Sequence, residues 1–115
     1  MKKFSLFALV ITAVTVFSYC SSTKRAVQKV PLLTYDANIQ QLVASKCAPC
    51  HIPAKGGNKM SFDNYDAVKS NIDSIIGRIE LMPNQRGFMP FKRAKLSDST
   101  INVFKQWRAD GLLAR

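Results

Sequence analysis

Cys47-Ala48-Pro49-Cys50-His51 is the stretch on which the reading of this chain turns. It has the form C-x-x-C-H, the pattern for covalent attachment of a c-type haem. Two thiols must each add across one vinyl group of the same porphyrin. Residues three apart on a helical turn share a face, so both sulfurs can reach one edge of the macrocycle. A histidine directly after the second cysteine is carried under the ring, where its imidazole can bind iron as the proximal ligand. His51 is the only histidine in the chain, so no other residue of its type can fill that role.

Plainer readings of the same five residues compete with this one. Such a short pattern can match by chance, and a lone histidine can be merely structural. A zinc site needs four ligands, and the sequence offers no second Cys or His pair. A thiol-redox C-x-x-C belongs with an alternating βαβ pattern. After residue 20 the Val, Thr and Tyr runs are short and do not alternate, so strands are not expected.

At 115 residues the chain holds one small domain plus extra segments. The part expected to fold is near the size at which a single apolar core is marginal. A covalent haem would give its side chains a large apolar disc to pack around. The net charge is +10. Without residues 1–19 it is +8, fifteen basic side chains against seven acidic ones. Basic proteins often bind nucleic acid, but an exported one rarely meets any. The expected partners are acidic faces of redox proteins, a respiratory complex, or anionic lipid headgroups.

Export is expected from the beginning of the chain. Met1-Lys2-Lys3 is a short positive segment, and residues 4–19 are apolar apart from Ser5, Thr12, Thr15 and Ser18. That run is short for a membrane span, which takes about 20 residues. Val16-Phe17-Ser18-Tyr19-Cys20 resembles a bacterial lipoprotein signal, cut before a cysteine that carries diacylglycerol. Residues 1–19 are therefore expected to be a signal peptide and Cys20 a lipidated anchor, the alternatives being ordinary cleavage or an uncleaved anchor. Tyr19 departs from the small residue usual at that position. Lipidation also accounts for a third cysteine that would otherwise be a free thiol in an oxidising compartment. Residues 20–33 then read as a flexible tether, polar and basic from Ser21 to Arg25, with Pro31 discouraging helix. Such a tether reaches roughly 20 Å from the membrane surface. Residues 34–115 form the expected folded domain.

Thr34 is the expected N-cap of the first helix, with Asp36 in its first turn. Tyr35, Ile39, Leu42, Val43 and Lys46 recur at helical spacing and lead into Cys47. Pro53, Gly56 and Gly57 then start a loop whose carbonyls can orient His51. A short helix is expected around residues 65–70. A second, capped by Asn71, carries the stripe Ile72, Ile75, Ile76 and Ile79 and is stopped by Pro83. Residues 83–95 read as a constrained loop. Ser97 caps the last helix, in which Ile101, Phe104 and Trp107 share a face and which Gly111 ends.

This order of parts resembles the cytochrome c family in its small single-haem bacterial form. The resemblance covers roughly residues 35–113. It is carried by Cys47, Cys50 and His51, the Met89-Pro90 pair, Phe62-Asp63-Asn64-Tyr65-Asp66-Ala67 after the glycine loop, and Leu96-Ser97 opening a helix with Trp107 that ends at Gly111. It implies an all-α fold wrapped around one covalent haem c, iron held by histidine and methionine, export before attachment, and electron transfer. It implies no enzyme activity and no small-molecule substrate. Two Met-Pro pairs occur where the family pattern has one.

The sixth ligand decides the chemistry. A thioether opposite histidine raises the potential and closes the position that peroxide or gas chemistry would need. Met89 is the expected distal ligand, sitting mid-loop with Pro90 fixing the next turn. Met82 is the runner-up, expected at the end of the isoleucine-rich helix. Met60 is expected to pack or face solvent, and any of the three could be plain core filler. Lys92, Arg93, Lys95 and Arg86 flank Met89, either as a solvated loop or as a positive ring that steers acidic partners. The rival reading is a haem-bearing subunit, or an open-site haem sensor or peroxide-handling protein, although no second histidine exists to act as acid–base group.

Overall fold

Thr34 opens the first helical segment, as its hydroxyl and position predict. In this computed structural model, which describes residues 30–115, its hydroxyl accepts from the Ala37 N–H at 3.3 Å. Asn38 Oδ1 in turn accepts from the Thr34 N–H at 2.9 Å, so the cap is reciprocal. The following turn, Tyr35–Ile39, is π-wound, and helix α1 (Gln40–Lys46) continues from it. The Gln40 N–H reaches back five residues to the Tyr35 carbonyl. Tyr35, Ile39 and Val43 are buried and Leu42 is half-buried, so the expected apolar face faces the core. The proposed export segment, Cys20 and the tether up to residue 29 lie outside the described residues.

Three further α-helices follow: α2 (Tyr65–Ser70), α3 (Ile72–Glu80) and α4 (Asp98–Ala109). Asn64 caps α2 by accepting from the Ala67 N–H at 2.9 Å. Asn71 stands at the start of α3 but does not cap it with its side chain. Its Nδ2 donates back to the Ala67 carbonyl at 2.8 Å and closes the end of α2 instead. The two helices are so close in sequence that one asparagine must serve the junction, and the free carbonyl wins. Ile72, Ile75, Ile76 and Ile79 are all buried, as their spacing predicts. Pro83 is not what stops α3. The helix ends at Glu80, where Leu81 turns extended (φ −58°, ψ 160°).

Ser97 caps α4 through the Thr100 N–H at 3.3 Å, and Ile101, Phe104 and Trp107 are buried. Gly111 follows the C-cap Asp110 with φ +93°. Its N–H bonds to the Arg108 carbonyl, and the Leu112 N–H bonds to the Trp107 carbonyl, closing the helix in the six-to-one pattern that a left-handed residue allows.

α4 packs on α3 and on the π-wound turn. Tyr35, Tyr65 and Trp107 meet there with ring centroids 5.6 to 6.3 Å apart, and two of the three pairs are edge-on. The tail binds this junction. The Leu113 carbonyl accepts from the Tyr35 N–H at 2.8 Å and from Trp107 Nε1 at 2.9 Å. Tyr65 Oη donates to the Leu112 carbonyl at 2.8 Å, and the Leu33 N–H donates to Asp110 Oδ2 at 2.7 Å. One compact unit, Pro31–Arg115, results. Among the described residues there is no strand, only a single bridge between Thr34 and Leu113. No helix among them is long and apolar enough to cross a membrane.

Candidate functional site

α1 runs out at Cys47, whose N–H still bonds to the Val43 carbonyl at 2.9 Å. The next turn is the C-x-x-C-H segment itself. The His51 N–H bonds to the Cys47 carbonyl at 3.0 Å, so the five residues keep a helical reach although the helix proper has ended. Both thiols are free. Cys47 is half-buried against the core, and Cys50 is exposed.

The loop after His51 is folded back onto this turn. Pro53–Lys55 makes a short 3₁₀ turn closed by Gly56 at φ +81°. Lys55 Nζ donates to the Ala44 carbonyl near the end of α1 at 3.1 Å. Gly57 lies against the backbone of Pro49 and Cys50. A Cβ there would fall 2.7 Å from the Cys50 carbonyl oxygen and closer still to that of Pro49. The second glycine is thus required by space. Two ladder-like bonds complete the fit, from the Lys59 N–H to the Cys50 carbonyl at 3.0 Å and from the Phe62 N–H to the His51 carbonyl at 2.9 Å.

That fold brings the Met60 carbonyl to His51 Nδ1 at 2.7 Å. A carbonyl can only accept, so Nδ1 carries the proton. In the neutral ring Nε2 then keeps its lone pair, the form in which imidazole ligates a metal. The imidazole also stacks on Phe62, with centroids 4.5 Å apart and planes 11° from parallel. Phe62 is part of the core, so the ring is held by one hydrogen bond and one packed face. The sequence offers the carbonyls of the loop after His51 as its partners. The one that holds it belongs to Met60, just past the glycines, and no residue type marks it, because every residue has a carbonyl. The Met60 side chain itself is 63% exposed, as expected of it.

The candidate distal ligands separate by burial. Met89 is half-buried and packs against the same core that Cys47 borders. Met82 is 55% exposed. It does not belong to the end of α3 as expected. It lies two residues beyond, because the chain leaves the helix at Leu81. Of the flanking cations, Arg86, Lys92 and Arg93 are exposed, while Lys95 is half-buried with its Nζ on the Glu80 and Leu81 carbonyls. Three of the four cations flanking Met89 are therefore exposed, and the fourth is engaged by backbone.

The donor set fits a haem c. It offers two unpaired thiols three residues apart, an imidazole fixed with its proton on Nδ1, and a half-buried thioether on the shared core. The rival chemistries fit less well. Among the described residues no three His, Cys, Asp or Glu side chains gather as a metal site of another kind. A redox-active dithiol needs a first cysteine with a lowered pKa. Burial instead pushes the Cys47 thiol up to about 11. Comparison with family models, curated proteins and solved structures gives no match to this chain.

Proposed function

We propose that this chain is a membrane-tethered, periplasmic electron carrier of the cytochrome c type, with one covalent haem c. The observation that carries the reading is the His51 ring. Its Nδ1–H is given to the Met60 carbonyl at 2.7 Å, directly after two free cysteines at thioether spacing. When bound, the iron porphyrin supplies a one-electron couple.

The chain's own residues do the rest. Cys47 and Cys50 are the attachment points, so the group cannot dissociate. The Met60 carbonyl makes His51 more electron-rich and keeps Nε2 as the ligating nitrogen. Met89 would offer the iron a neutral sulfur, which would favour the reduced form and leave no open site for a small ligand. Phe62, buried in the core, backs the His51 ring, and Ile52 beside it is buried too. Arg86, Lys92 and Arg93 give an acidic partner a face to approach. An acylated Cys20 would hold the domain at the membrane through the residues that precede Pro31, since Leu33 is bonded to Asp110 in the domain.

The test is mass spectrometry of the protein expressed with a haem-attachment system. The expected product carries one haem, has both Cys47 and Cys50 closed to alkylation, and begins at an acylated Cys20. A colourless protein with both thiols reactive overturns the reading.

A further inference from the structure

The loop that carries Met89 is fastened at its ends and in its middle by two cations. Lys95 Nζ donates to the Glu80 carbonyl and, at 3.3 Å, to that of Leu81. These carbonyls end α3, where the C=O groups lack helical partners and the dipole is negative. Lys95 thereby joins the two ends of the segment 81–95. Arg78, in the last turn of α3, holds the middle. Its Nη1 donates to the Gly87 carbonyl at 3.3 Å, and its own carbonyl accepts from the Met89 N–H at 3.1 Å. Gly87 makes this approach at φ +94°, with the guanidinium 3.4 Å from where a Cβ would stand.

The ion pairs found among the described residues are Lys105–Glu80, Arg108–Asp73 and Arg115–Asp36. Arg78 and Lys95 are in none of them. Both are directed instead at backbone carbonyls around one loop. Within the same segment Met89, whose N–H is held by the Arg78 carbonyl, is half-buried on the core, and Met82 is exposed.

We propose that Arg78 and Lys95 are positioning residues for Met89, a two-point clamp that keeps its thioether on the core. The role in ligation rests on Met89 being the distal ligand. The role in holding the loop does not, and the two are tested separately.

Native-state hydrogen exchange on the haem-loaded full chain reads the loop directly. In K95Q the Met89 amide is expected to exchange roughly ten- to hundred-fold faster, the loss of charge-assisted hydrogen bonds. The amides of Val43 and Trp107 should keep their wild-type rates, which shows that the domain is folded. R78Q is the second variant and should act in the same direction. K95R, which keeps the positive charge and the reach, should restore protection. Carbon monoxide binding to the reduced protein reads ligation. It should quicken at least ten-fold in K95Q, while the thioether-to-iron absorption band weakens. A Met89 amide within two-fold of wild type in both K95Q and R78Q overturns the clamp. A wild-type protein that carries haem but shows no thioether band overturns the ligand reading, and the exchange result still decides the clamp.

Discussion

Two methionines seven residues apart make the sharpest residue-scale choice in the chain. Met89 is half-buried on the core and Met82 is more than half exposed, so under the proposed function Met89 is the sulfur expected to matter. Met89→Ala is expected to abolish the thioether-to-iron band and lower the potential, and Met82→Ala to leave both unchanged. The reverse result in absorption spectra and redox titration refutes the assignment. The two cysteines also differ. Cys47 is half-buried with its thiol pushed up to about 11, and Cys50 is exposed. In protein made without haem, iodoacetamide at pH 8 should label Cys50 well before Cys47, as peptide mapping would show, with Cys47 catching up as the pH nears 11. The folded state holds the Cys47 proton longer than the unfolded chain, whose pKa is near 9.0. Its stabilising share is complete below that value and is lost as pH rises toward 11. Equal labelling rates at pH 8 contradict this account. The C-x-x-C-H pattern made these side chains legible beforehand. The Met60 carbonyl was not, because its role depends on where Gly57 lets the loop settle.

At the scale of elements, the helix starts were readable because caps are local. Thr34 and Ser97 both cap with their hydroxyls, and each precedes an aspartate in the first turn. Ser97→Ala should cost about 1 kcal/mol, seen as a lower urea midpoint with an unchanged slope. An unaltered midpoint would show that the cap bond carries no net stability. The stripe of four isoleucines was equally readable, since burial on one face leaves a periodic record. What escaped sequence reading depends on neighbours. The π-wound first turn has no signature in Tyr35–Ile39. Asn71 offers the same amide to two helices, and only the fold decides which carbonyl takes it. The proline rule placed the end of α3 too late. Pro83 forbids continuation but does not set where the helix stops, and Lys95 takes the Glu80 and Leu81 carbonyls before the chain reaches it.

At the scale of the whole domain, several cations have fixed partners. Lys105, Arg108 and Arg115 face Glu80, Asp73 and Asp36, while Arg78 and Lys95 bind carbonyls. The segment 81–97 contains no acidic residue, and Arg86, Lys92 and Arg93 stand exposed on it beside Phe91, itself 68% exposed. Lys92 lies over the Phe91 ring at 5.3 Å and takes the left-handed backbone at φ 56°, an uncommon conformation for a lysine. Electron exchange with an acidic partner should therefore be steered by this loop. Raising ionic strength from about 0.01 M to about 0.15 M shortens the screening length from about 30 to about 8 Å. Stopped-flow rates should fall several-fold over that range. The triple change of Arg86, Lys92 and Arg93 to glutamine should lower the rate at low salt and flatten its salt dependence. Such a variant keeps Lys95 and Arg78, so the Met89 loop stays fastened and the spectrum is unchanged. A rate indifferent to salt in the wild type would mean that the exposed cations serve solubility alone and that partners approach by another face.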